Sequence, residues 1–244
     1  MYIIYEPGGR AGQYAPLAAN IYKTCTHGCL YCYANKTMYM SKEAFHAFDR
    51  TRNDALKKLA KDASKLRGDN REILLCFLGD PYNPSEPQKM VTRKALEILI
   101  KNDLRFTVLT KGGDRVRRDW DLLSTYPKCS IGQTIVFSNQ SSADYWEPNA
   151  SPLYERFELA KDAHEAGIKT WVSLEPVIYP QEALDVVKLL HTYIDHWKVG
   201  PVHYVSEMKI DWQQFKIDIE NLFANVKADY FLKQELYEKA EKVA

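Results

Sequence analysis

No apolar run in this chain approaches 18 residues, so nothing in it reads as a membrane-spanning helix. A basic leader, a short apolar stretch and a small-residue cleavage site are also missing, so no secretory signal is expected and no membrane partner follows. Charge of one sign is absent too: 33 Lys and Arg against 32 Asp and Glu leave a formal net charge of +1. That balance exerts no global pull on nucleic acid or anionic lipid, and any such partner has to be held by a local patch. No repeat, low-complexity linker or shift in composition divides the 244 residues, so one domain over 1–244 is expected. Within it, 1–18 reads as a glycine-rich entry loop and 211–244 as a closing helix and strand. Cysteine is scarce and odd in number, five in all. That count argues against a disulfide framework and for a reducing, cytoplasmic setting. With 45% hydrophobic and 27% charged residues, the rest is an ordinary globular composition with a sizeable core.

Three of the five cysteines stand together in T-C-T-H-G-C-L-Y-C-Y-A, at Cys25, Cys29 and Cys32. Three thiols in eight residues cannot all pair with one another, so the C-x3-C-x2-C spacing points to thiolate ligation of a metal or an iron–sulfur cluster. On a four-iron cube, three ligands leave one iron open, and an open position is where a cosubstrate binds. His27 lies between two of these cysteines, but its spacing is cramped for a tetrahedral zinc site.

Around this loop the pattern alternates. Strands are expected at 19–24, 72–78, 105–110, 129–137, 169–174, 195–199 and 230–232, with helices between them. An apolar stripe with a basic opposite face predicts a helix over 42–67, with Arg52 awkwardly near the apolar side. Ser85 and Gln88 predict a capping box opening a helix through residue 100. Six strand–helix units plus a closing strand imply an α/β fold with a parallel sheet, a partial (β/α)6 TIM-like barrel ahead of a doubly wound sheet. In such folds ligands bind where strands end. Asp80, Lys111 and Glu175 all fall at predicted strand ends, whereas Ser130 falls near the start of its strand. Cys129 reads as a core cysteine.

The cysteine loop, with an aromatic at Tyr31 before the third cysteine, resembles the radical SAM superfamily. G-R-A-G, C-x-Y-C-Y-A, G-D-P-Y-N-P, L-T-K, S-I-G-Q-T, E-P-V-I, H-W-K-V-G and Y-F-L-K, in that order, look like its spore photoproduct lyase branch, which includes proteins called DNA repair photolyases by relation. The resemblance implies a [4Fe-4S] cluster on Cys25, Cys29 and Cys32 with S-adenosyl-L-methionine on the fourth iron. It implies reductive cleavage to a 5′-deoxyadenosyl radical that abstracts a hydrogen atom from a substrate. It assigns Asp80, Lys111 and Ser130 to the methionine or ribose part, Tyr31 to the adenine side and Glu175 to the rim. It also implies an electron donor such as flavodoxin or ferredoxin. In the lyases a thiol three residues before the equivalent of Asp80 returns a hydrogen to the product radical; that place is Phe77 here, with Cys76 one residue earlier. Strand parity turns Cys76 toward the core, while Tyr33 matches the lyases' radical-return tyrosine. The substrate stays open between a nucleic-acid base lesion and a peptide or small molecule. A non-catalytic iron–sulfur or zinc module is the alternative of another class.

Overall fold

The computed structural model describes residues 2–203 and 209–241. The last three residues of the expected closing segment lie outside that range. Eight strands form one sheet in strict chain order: β1 (Ile4–Tyr5), β2 (Leu17–Ala19), β3 (Ile73–Leu75), β4 (Phe106–Thr110), β5 (Cys129–Thr134), β6 (Lys169–Val177), β7 (His196–Pro201) and β8 (Tyr230–Leu232). β1 pairs antiparallel with β2, and every later pair is parallel. A doubly wound sheet reverses its strand order at a switch point, whereas this one never does. Sequential parallel order is that of a barrel wall, and the expected partial barrel of six strand–helix units and a closing strand is what forms. Among the described residues, no helix is long and apolar enough to cross a membrane.

The sheet is apolar on both faces, as a parallel sheet under helices requires. Outer-face residues pack under the helices in two large clusters, one around Leu75, Val108 and Leu99, the other around Val172, Val199 and Phe215. A smaller cluster of Leu74, Leu109, Trp171, Phe77 and Tyr14 fills the inside. Trp171 fits there because β5 carries Gly132, where a Cβ would fall 2.0 Å from the indole. The indole N–H donates to Thr107 Oγ1 at 2.7 Å, so its polar edge is satisfied in the interior.

Three expectations fail for reasons of tertiary bonding. The single helix over 42–67 is two, Lys42–His46 and Ala55–Lys65. Between them the backbone serves the first strand's extension instead: Lys23 N–H donates to the Arg50 carbonyl, Arg52 N–H donates to the Ile21 carbonyl, both at 2.9 Å, and Tyr22 bridges Thr51. Ser85 caps nothing with its side chain. The longer helix there starts later, at Val91–Lys101, after Met90 turns to φ +56. The buried Glu86 carboxylate accepts from Thr92 N–H at 2.7 Å and takes over the cap. Finally, β2 ends at Ala19 and β3 at Leu75, earlier than expected. Asn20 Oδ1 accepts from the amides of Phe77 and Leu78, at 2.8 and 3.0 Å, where a continued ladder would have used backbone. That early stop decides where Cys76 sits.

Candidate active site

A cavity of about 590 Å³ opens at the carboxyl ends of the strands. The cysteine loop forms one wall, and Cys25, Cys29 and Cys32 all line it as free thiols. The loop approaches the turn after β3 so closely that Gly79 has no room for a side chain. A Cβ there would lie 2.6 Å from the Thr24 carbonyl oxygen and 2.8 Å from Tyr22. Burial pushes Cys29 up to about 12, and Cys25 and Cys32 are raised as well, which favours the protonated thiols. A metal must displace those protons to bind.

Three thiols on one cavity are a thiolate donor set that leaves a coordination position open. The three cysteines around an open cavity suit the cluster. His27 is not placed as a ligand: it is buried, Arg115 Nη2 sits 3.0 Å from its Nε2, and Asp80 lies 3.4 Å from its Nδ1. A guanidinium can only donate, so Nε2 accepts and the ring proton points from Nδ1 toward Asp80. Burial lowers His27 to about 4, which keeps the ring neutral.

Asp80 and Lys111 meet at the ends of β3 and β4. Asp80 Oδ1 accepts from Thr110 Oγ1 at 2.6 Å and Tyr82 N–H at 2.8 Å, and its Oδ2 accepts from Lys111 N–H at 2.7 Å. Burial opposes its charge, but His27 and these donors outweigh burial and leave its pKa lowered. The carboxylate is therefore a latch that holds the Gly79–Asp80 turn against β4. The Lys111 ammonium lies 5.5 Å from the Tyr31 ring centre. Burial works against its charge, and the Glu147 and Asp80 carboxylates favour it.

Beneath Tyr31 is a charge pair that sequence reasoning missed. Arg156 and Glu147 are buried at 1% and 0% side-chain exposure, 2.5 Å apart. The Tyr31 hydroxyl donates to Glu147 Oε1. Arg156 also donates to the carbonyls of Ser151 and Thr134, at 2.8 and 3.3 Å. Neither residue belongs to a sequence motif, and the only local signal is a Glu before Pro148 in a loop. On the opposite wall Glu175 accepts from Tyr14 and pairs with Lys233 at 2.9 Å, and all three line the cavity. Tyr14, on the glycine-rich entry segment, was also not foreseen.

Two assignments need correction. Ser130 sits at the amino end of β5, opposite Thr107 and Lys169, and does not line the cavity. Thr134, at the carboxyl end of the same strand, does. Cys76 packs on the core and borders the cavity as well, with 6% exposure. Parity fails because it applies only inside a strand, and β3 has already ended at Leu75. Burial pushes this thiol up to about 12, so it stays protonated. Tyr33 lines the same cavity, and its hydroxyl donates to the Phe77 carbonyl at 3.1 Å.

The family model for the Radical SAM superfamily matches residues 19–192. An uncharacterised protein of Methanocaldococcus jannaschii is 28% identical over 166 residues, which cover 67% of this chain and 61% of that protein. An uncharacterised protein of Acidianus two-tailed virus is 27% identical over 190 residues, 70% of this chain and 59% of its own. The chain thus spans about three fifths of the length of these curated relatives. Among solved structures, Streptococcus suis SuiB bound to S-adenosylmethionine superposes with a TM-score of 0.70 at 11% identity, over 93% of this chain and 52% of SuiB. SuiB bound to its precursor peptide SuiA gives 0.69 at 12%, over 93% and 50%. Spore photoproduct lyase complexed with dinucleoside spore photoproduct gives 0.68 at 13%, over 93% and 78%. At these identities the likeness is one of fold.

Proposed function

This chain belongs to the radical SAM superfamily, whose members use a [4Fe-4S] cluster and S-adenosylmethionine, and we propose that it is an enzyme that abstracts a hydrogen atom from a substrate held in the strand-end cavity. When bound, the two cofactors supply a 5′-deoxyadenosyl radical. Cys25, Cys29 and Cys32 are the cluster ligands in this reading. The observation that carries it is that all three thiols open on one cavity of about 590 Å³. A purely structural or electron-transfer module would close its ligand set and have no use for that space.

The remaining wall residues divide the work. Lys111, its charge sustained beside Glu147, is the cation that receives the cosubstrate carboxylate. Tyr31, tethered through its hydroxyl to Glu147, offers a fixed ring face. Asp80, at the cavity wall, accepts three protein hydrogen bonds and holds the Gly79 turn in place. Tyr14, Glu175 and Lys233 close the far wall and limit the entry of water. Tyr33 and Cys76 form the hydrogen-return route, the thiol protonated and able to give its hydrogen atom to a substrate radical.

A nucleic-acid base is the substrate class we favour, since Tyr5, Tyr14, Tyr33 and Phe77 line the cavity and offer ring faces to a planar base. The test is anaerobic reconstitution with iron and sulfide, chemical reduction and quantification of 5′-deoxyadenosine. Its formation supports the reading. Its absence, where a family member assayed alongside produces it, defeats the reading.

A further inference from the structure

We propose that a second, smaller pocket, formed by Tyr2, Lys23, Arg52 and Lys58, binds a phosphate of a single nucleic-acid strand. The pocket, about 210 Å³, lies between β1's leading end, the loop before helix Ala55–Lys65 and Met38. It concentrates three cations in a chain whose net charge is only +1. Among the described residues, no carboxylate lines it. Asp62, the acid that faces the same end of the molecule, is buried and accepts the amides of Ile3 and Ile4, at 2.6 and 3.2 Å.

Arg52 marks the pocket as built for a ligand. Its Nε is buried and finds no acceptor in the protein, and among the described residues it makes no ion pair. Nε is shielded from solvent, so an incoming anion is met by the terminal nitrogens of the half-buried guanidinium. Lys58 donates to the Asn53 carbonyl at 2.9 Å, which fixes its ammonium at the rim with two protons left to give. A guanidinium flanked by two ammonium groups is a phosphate-binding chemistry.

Tyr2 decides between a strand and a small phosphorylated compound. Its ring is 67% exposed beside these cations, with Lys65 Nζ 5.3 Å from its centre. An exposed aromatic among backbone-tracking cations is the arrangement that binds single strands, with bases stacked and phosphates paired. The pocket shares no lining residue with the main cavity but lies on the side of its cysteine loop. Met38 packs on the cluster formed by Cys25, Ala34 and Phe45, and Lys23 precedes Cys25 by two residues. Arg52 acts electrostatically on Tyr5 and Cys76, both cavity residues. This proposal rests on the nucleic-acid reading of the substrate above.

The assay needs neither cluster nor cofactor cleavage, so its failure is distinguishable from failure of the radical reading. Binding of a fluorescent single-stranded DNA oligonucleotide to the full chain is measured by anisotropy across a salt series, with inorganic phosphate titrated separately. The expected result is salt-dependent binding, weakened at least about tenfold by R52Q and by the K23Q/K58Q pair, with a shallower salt slope. K101Q, on another helix, stays within about twofold of wild type. Tyr2→Ala weakens oligonucleotide binding and spares phosphate. Phosphate binding alone, lost in the same variants, assigns a small phosphorylated ligand and overturns the strand. Oligonucleotide binding that survives both R52Q and K23Q/K58Q, or no binding of either probe, overturns the site.

Discussion

The Tyr33 hydroxyl donates to the carbonyl oxygen of Phe77 at 3.1 Å, one residue beyond Cys76. This contact joins the cysteine loop to the segment that follows β3, and it brings the phenol and the Cys76 thiol onto one cavity wall. If both serve hydrogen return, Tyr33→Phe and Cys76→Ala act late in the reaction. Cofactor cleavage should stay within about threefold of wild type, while product formed per cleaved cofactor falls at least about tenfold. Equal losses in both quantities would place these residues in cofactor binding instead.

Gly132→Ala tests the packing inside the barrel. The added Cβ meets the Trp171 ring at 2.0 Å, with the indole already committed to Thr107. Overpacking of this kind costs about 1–3 kcal/mol. Chemical denaturation should show a lower midpoint with an unchanged slope, and pairing the change with Trp171→Phe should recover part of the loss.

Glu147→Gln leaves Arg156 charged and buried without its counterion. Removing one partner of a buried pair costs about 3–5 kcal/mol, so a clear drop in Tm is expected. The double substitution Glu147→Leu/Arg156→Met should be less harmful than Glu147→Gln alone. It should still disturb cofactor binding, because Tyr31 loses the acceptor for its hydroxyl.

Lys198 gives a pH signature. Burial, with Lys233 and Lys169 nearby, lowers it from 10.5 to about 8. Between those values the unfolded chain binds more protons than the folded one. Stability therefore rises as pH climbs from about 8 toward 10.5, and below 8 the full penalty applies, roughly 3 kcal/mol. Unfolding measured across that range should show the rise in wild type, and Lys198→Met should flatten it.

The strand-and-helix alternation was legible because each element carries its own period, and β4, β7 and β8 fall within a residue or two of their expected bounds. The three cysteines, Asp80, Lys111 and Glu175 were legible because polar residues at strand ends share one rim. What stayed hidden depends on contacts between distant segments. Nothing local indicates that Asn20 would intercept the Phe77 and Leu78 amides, end β3 early and leave Cys76 on the cavity wall. Residues 47–54 read as helix because their pairing with 21–23 is a tertiary matter. Ser130 matched by motif, yet its register puts it at the wrong end of β5. Tyr14 and the Glu147–Arg156 pair reach the site only through contacts between distant segments.

The central claim is a cluster held by three cysteines with one iron left for the cosubstrate. The most direct measurement is the electron paramagnetic resonance spectrum of the reconstituted, reduced protein before and after addition of S-adenosylmethionine. The account predicts a reduced four-iron signal whose g-values shift on addition, and loss of that signal with iron in Cys25→Ala, Cys29→Ala and Cys32→Ala. A spectrum unchanged by S-adenosylmethionine, or zinc in place of iron and sulfide in the folded protein, would contradict it.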